Sequence, residues 1–177
     1  THSGNIMDSY RASGLAPAVI QTAMDHLSAV LDEITTSGNL ILVHNTFVKK
    51  TNIPGLLQRK GLFWCLCPNS NMYIENRLPP AALLESEGCM VTIGTDSLAS
   101  NSGLSIISEL KTLQYHFPGL SLEEIIRWAT INGAMAICME DKYGKIESGK
   151  RPGLLLLKDI DIVNLKLLPS TTVTRLL

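Results

Sequence analysis

Three short, unbroken apolar runs, each closing on polar residues, constrain this chain more than any other feature. They are "LILVH" (Leu40 to His44), "LFWCLC" (Leu62 to Cys67) and "CMVTIG" (Cys89 to Gly94). None alternates apolar with polar positions, which fits strands covered on both faces and hence a parallel sheet. Parallel neighbours need a crossover of a dozen or more residues, usually helical. The intervening segments supply it. "NTFVKKTNIPGLLQRKG" reads as a loop with a short helix, "PNSNMYIENRLPP" as a turn-rich stretch, and "AALLESEG" as a helix stopped at Gly88. The resulting fold class is α/β, built from repeated βα units.

Helical patterns flank this core. Pro17 opens one whose apolar stripe runs from Val19 to Ile34 and stops at Ser37-Gly38-Asn39. Leu104 to Tyr115 is a second. "SLEEIIRWATINGAMAI" is a third, with Ser121 as N-cap and Glu124 completing a capping box. Its stripe of Leu122, Ile125, Ile126, Ala129, Gly133, Ala136 and Ile137 is expected to face a core. The tail, "GKIESGKRPGLLLLKD" and the residues after it, reads as two strands in a different, β-rich setting.

Composition excludes several classes. The chain has 177 residues, 45% hydrophobic and 18% charged, with a formal net charge of −1. That is globular, and it offers no basic field for nucleic acid. No apolar run approaches the roughly 20 residues of a membrane span, so no membrane partner is expected. Four cysteines are too few to staple a domain of this size, and Cys65 and Cys67 are poorly placed to pair with each other. Reduced thiols and a cytoplasmic location are the expectation, with no leader visible at "THSGNIMDSY". The first residue is not methionine and the chain opens on a turn, which reads as part of a longer protein.

In parallel α/β architectures, functional groups collect at the C-terminal ends of the strands. The three runs end on His44-Asn45-Thr46, on Pro68-Asn69-Ser70-Asn71 and on Thr95-Asp96-Ser97. A His and an Asp converging there could bind a divalent metal and activate water, or act as an acid/base pair. The same residues also have plain structural uses. Asp96 could cap the "SLASN" segment, His44 could be a hydrogen-bonded scaffold residue, and Asn69-Ser70-Asn71 is good turn chemistry. His26 lies off its helix stripe, and His116 suits a helix C-terminus.

"LILVHNT", "CPNSN" and "VTIGTDSLASN" with "SELK" behind it resemble the sixth, seventh and eighth strands of the amidohydrolase superfamily. The branch resembled is the chlorohydrolase and aminohydrolase group acting on purine-, adenosine- or triazine-like rings. "ATINGAMAICMEDKYGKIESGKRPGLLLL" is similar to the family's closing segment, although "KRPGLLLL" replaces a common Ala-Asp. The resemblance covers Leu40 to Leu157.

It implies the C-terminal part of a (β/α)8 TIM-like barrel, residues 1–140, with 141–177 leading into strands of a small β-sandwich. It also implies one divalent metal, zinc or iron, in the full-length parent. The family's metal ligands are a first-strand His-x-His, a fifth-strand His and the eighth-strand Asp. Of these the resemblance places Asp96 alone on this chain; "THSGNIMDSY" with His2 looks like the loop after the fifth strand. Asp96 would be metal ligand and proton acceptor, and His44 would polarise the group under attack. Asn69, Ser70, Asn71, Ser97, Ser100 and Asn101 would line the substrate loops. The reaction implied is hydrolysis of a C–N bond other than a peptide bond, or dechlorination, of a small molecule by an activated water. This portion alone is expected to be inactive and to hold no metal. Its open barrel edges predict a homo-oligomer or a complementing N-terminal half. Two rival readings are a non-catalytic module that pairs with another chain through those edges, and a doubly wound domain using Asp96 as phosphoacceptor. The second lacks an acidic pair and a strand-end Lys.

Overall fold

The computed structural model describes residues 37–177 and, ahead of them, Ala12, Leu27, Leu31 and Ile34. The chain divides into two compact units, Thr1–Thr35 and Thr36–Leu177; every element below belongs to the second. Of the helix expected from Pro17, only Leu27 and Leu31 are described as helical; His2 and His26 lie outside the described residues.

The three apolar runs form strands β1 (Leu40–Val43), β2 (Leu62–Leu66) and β3 (Val91–Ile93), paired in parallel in the order β1-β2-β3. Leu42 stands opposite Trp64, and Trp64 opposite Val91. Since parallel partners share a face, these three form one apolar layer, with Trp64 and Val91 essentially without solvent contact. The β1 run is less covered than its sequence suggests: Ile41 and Val43 are exposed. β1 is an edge strand among the described residues and has a neighbour on one side only.

The crossovers are helical. A 3-10 turn (Lys50–Asn52) leads into α1 (Ile53–Leu57), and α3 (Ala81–Ser86) precedes β3. Between them lies a correction. The stretch read as turns from its Asn and Pro content is an eight-residue helix, α2 (Pro68–Glu75). Pro68 occupies its first turn, where a missing N–H is harmless and a fixed φ favours the helix. Asn76 closes it in the left-handed conformation at φ 47°.

α4 spans Ile106–His116, with the Ser105 hydroxyl accepting from the Ser108 N–H and His116 in the last turn. The next helical segment is broken into α5 (Leu122–Arg127), a π turn (Trp128–Asn132) and α6 (Gly133–Ala136). Ser121 caps α5 as expected. The Glu124 side chain, however, turns to the Trp128 indole N–H at 2.7 Å. The π turn inserts an extra residue and rotates the buried face. Trp128 and Asn132 are therefore core residues while Ile137, at the end of the expected stripe, is exposed. Asn132 donates to the Val91 carbonyl at 2.7 Å and ties the π turn to β3.

The tail forms an antiparallel pair, β4 (Leu155–Asp161) and β5 (Lys166–Arg175), with an irregularity between Lys158 and Ile160. It docks on α4. Gln114 exchanges two hydrogen bonds with the Leu167 backbone (2.8 and 2.9 Å), and Lys111 donates to the Pro169 carbonyl at 2.8 Å.

Candidate active site

The C-terminal ends of β1, β2 and β3 lie side by side, so the residues leaving them share one rim. Three of these take the left-handed conformation, which strains a residue with a side chain although His, Asn and Asp enter it more readily than most: His44 (φ 71°), Asn45 (φ 53°) and Asp96 (φ 58°). Such strain persists only where the surroundings over-determine it, and it clusters at functional sites. At β1 the His44 N–H still donates to the Cys65 carbonyl at 3.0 Å. The last ladder bond is thereby kept while the chain bends away.

His44 Nε2 stands 3.8 Å from Asp96 Oδ2, with about a third of each side chain exposed. That Asp96 oxygen accepts from Ser70 Oγ at 2.7 Å and Ser100 Oγ at 2.8 Å. The two serine oxygens are themselves 2.9 Å apart. Each hydroxyl has one proton, and both are used best on the carboxylate, where the bond is charge-assisted. These two donors, Ser70 first, hold the Asp96 carboxyl below its ordinary range, with His44 a minor contributor. Asp96 is thus kept as an anion at an open rim.

Of the residues expected to line substrate loops, Ser97 is exposed, whereas Ser70, Asn71, Ser100 and Asn101 are buried. Asn69 donates to Ser108 Oγ and accepts from Thr112 Oγ1, and Asn71 donates to Thr46 Oγ1. Asn45 Nδ2 and Asn71 Oδ1 are buried at the same rim without a hydrogen-bond partner, as buried polar atoms seldom are. Gly94 lets β3 approach β2: a Cβ there would stand 2.9 Å from Cys65 Sγ and 3.3 Å from Cys67 Sγ. All four cysteines are free. The Cys67 thiol is pushed up by the neighbouring Cys65 sulfur and by burial, which keeps it neutral and a poor ligand.

One rim residue stands in "SELK" but was given no role in the sequence reading. Glu109 on α4 is fully buried. Its Oε2 accepts from the Asn69 backbone N–H (2.8 Å), and its Oε1 accepts from Asn69 Nδ2 (3.0 Å) and Asn101 Nδ2 (2.7 Å). The signal was an acidic residue one position before Leu110 and four before Leu113, on the apolar side of its helix.

His44 and Asp96 thus meet at the C-terminal ends of parallel strands, where functional groups collect in α/β sheets. The sequence profile of the Amidohydrolase family matches residues 18–175. This chain belongs to the amidohydrolase family. It is 34% identical over 129 residues, 68% of its length, to a 5-methylthioadenosine/S-adenosylhomocysteine deaminase of Teredinibacter turnerae. It is 29% identical over 152 residues, 81% of its length, to a 5'-deoxyadenosine deaminase of Methanobrevibacter smithii. Among solved structures it is similar to an adenosine deaminase from Xanthomonas campestris with bound zinc. That match has a TM-score of 0.64 at 30% identity, covering 84% of this chain and 33% of that one. A triazine hydrolase (TM-score 0.58, 24% identity, 64% of this chain and 26% of that one) shares the fold. The chain spans 29% and 34% of the two curated relatives' lengths.

Among the described residues no three His, Cys, Asp or Glu side chains form a group able to hold a metal. No described helix is long and apolar enough to cross a membrane.

Proposed function

We propose that this chain supplies the Asp96 side of the active site of a metal-dependent deaminase acting on a purine nucleoside or a related electron-poor ring. The observation that carries this reading is the Asp96 carboxylate, held ionised by two serine hydroxyls beside His44 on the strained rim.

The donor chemistry fits a shared metal site. Asp96 offers anionic oxygen, but Oδ2 is already committed to two hydroxyls and no complete ligand set accompanies it among the described residues. Asp96 would be one ligand, with the remaining donors outside the described set, in keeping with the three protein ligands usual for catalytic zinc. When bound, the metal supplies a Lewis acid that makes water a nucleophile near neutral pH. Asp96 accepts the proton released as water adds to the ring carbon bearing the amine. His44 Nε2 faces the same space and stabilises charge on the group under attack. The ring nitrogen next to that carbon takes up one of the two water protons. The other passes from Asp96 to the amine as the C–N bond breaks, and ammonia departs while the ring keeps a carbonyl beside an N–H. Ser70 and Ser100 keep Asp96 oriented, and the open Ser97 lies on the substrate side. The three strands are the last of a (β/α)8 barrel, and the β4–β5 pair belongs to an accompanying small β-sandwich. The barrel is completed by a complementing N-terminal half, in a soluble cytoplasmic protein.

Ammonia release from adenosine, 5'-methylthioadenosine and S-adenosylhomocysteine tests the reading. The longer parent protein is expected to turn over one of them, and the 177-residue chain alone none. Activity of the isolated chain, or inactivity of a zinc-loaded parent on all three, refutes it.

A further inference from the structure

Glu109 carries a role that the proposed chemistry leaves unassigned. It is a wholly buried carboxylate at the heart of the rim, and its two oxygens receive three N–H donors. An acid in such a place is costly unless its acceptor capacity is used; an apolar residue of similar volume packs a helix as well or better. Burial pushes the Glu109 carboxyl up from its ordinary range, and the Asn69 and Asn101 donors pull it back.

The donors are not scattered. Asn69 directly precedes Ser70, and Asn101 directly follows Ser100. Ser70 and Ser100 are the two hydroxyls that hold Asp96 Oδ2. Asn101 Nδ2 also donates to the Thr95 carbonyl at 2.8 Å, the peptide immediately ahead of Asp96. The Asn69 N–H bound by Glu109 is moreover one of the orphan donors at the start of α2, so the carboxylate caps that helix from another element. A single side chain of α4 thus grips the segment after β2 and the segment after β3, each one residue from a serine that orients Asp96.

We propose that Glu109 is a positioning residue: it fixes the spacing of the Ser70 and Ser100 hydroxyls and, through them, the orientation of the Asp96 carboxylate. The inference rests on the reading of Asp96 as the reactive group. Two acceptor oxygens serving three donors require a carboxylate. Glutamine presents one acceptor oxygen, and its NH2 would face a donor.

In the parent protein, Glu109→Gln is expected to lower kcat about 10- to 100-fold with KM held within about threefold, the signature of a misplaced reacting group. Leu113→Ala empties a fully buried position on the same helix outside this network. It is expected to lower the melting temperature comparably and to leave kcat within about twofold. Ser70→Ala with Ser100→Ala removes both hydroxyls, and adding Glu109→Gln to that pair is expected to cost about tenfold less than it does alone. If Glu109→Gln does not fold, Glu109→Asp, which keeps the charge and withdraws it by one methylene, takes its place. In the full 177-residue chain, with no activity required, the Ser70 and Ser100 amide resonances are expected to move more in the Glu109 variant than in Leu113→Ala. Equal kcat losses in the two helix variants, or equal amide shifts, overturn the proposal. A parent inactive without any substitution counts against the deaminase reading instead, and the amide shifts then decide the role of Glu109.

Discussion

Asp96 and Glu109 lie on either side of the same pair of loops and are treated in opposite ways. Asp96 has nearly a third of its side chain open to solvent, a left-handed backbone, and two hydroxyl donors on one oxygen. Glu109 is closed off, sits in a regular helix, and has three amide donors shared over both oxygens. Ionisation is favoured at the first by its hydroxyls and opposed at the second by burial. The exposed acid is accessible, which suits the role proposed for it as the reacting group. The buried acid is satisfied and dry, as a group that must hold its neighbours still needs to be.

The largest predicted effect breaks this contrast at the buried end. Glu109→Leu leaves three N–H donors in a dry site without acceptors and uncaps α2. It is expected to destabilise the chain by about 3 to 5 kcal/mol, measured by urea denaturation. Asp96→Asn keeps the shape of an exposed side chain that tolerates the left-handed region. It is expected to change the same midpoint far less while abolishing turnover in the parent. Similar losses of stability from the two substitutions would erase the distinction.

The contrast was half legible in the sequence. Asp96 announced itself because it ends an apolar run, and the parallel-strand rule places such residues on one rim. The three strands followed from uninterrupted apolar character, and the β4–β5 pair from its Gly/Pro punctuation. Glu109 was hidden because its partners are Asn69 and Asn101, and 40 positions separate Glu109 from Asn69. No local pattern encodes a contact of that span. The α2 helix was missed for a related reason. Asn and Pro favour turns locally, but Pro68 at the helix start and a cap supplied by Glu109 reverse the balance. The π turn was invisible because a stripe of 3.6-residue period extrapolates straight through the extra residue at Trp128–Asn132.

A smaller effect sharpens the contrast at the exposed end. His44 is strained at φ 71°. A left-handed backbone costs a side-chain-bearing residue roughly 1 to 2 kcal/mol, and the greater unfolded-state freedom of glycine takes back up to about 1. His44→Gly is therefore expected to raise stability by up to about 1 kcal/mol while lowering turnover in the parent. A clear loss of stability would show that the imidazole contributes more to the rim than its strain removes.

The smallest effect is the pH dependence, where the two acids should pull in opposite directions. Asp96 has its carboxyl held below the ordinary value of 3.8 by the serine hydroxyls. The unfolded chain binds that proton more tightly, so the contribution of Asp96 is present above pH 3.8 and fades as pH falls through the depressed value. Glu109 has its carboxyl raised above 4.5 by burial. Here the folded chain binds the proton more tightly, so stability declines as pH rises from 4.5 through the raised value. Melting temperatures from pH 3 to 7 separate the two. Asp96→Asn is expected to flatten the acid limb below pH 4, and Glu109→Gln to remove a shallow decline above pH 4.5. If Glu109→Gln instead flattened the acid limb, its three donors would outweigh its burial. Glu109 would then join Asp96 as a carboxylate stabilised by the fold in its charged form.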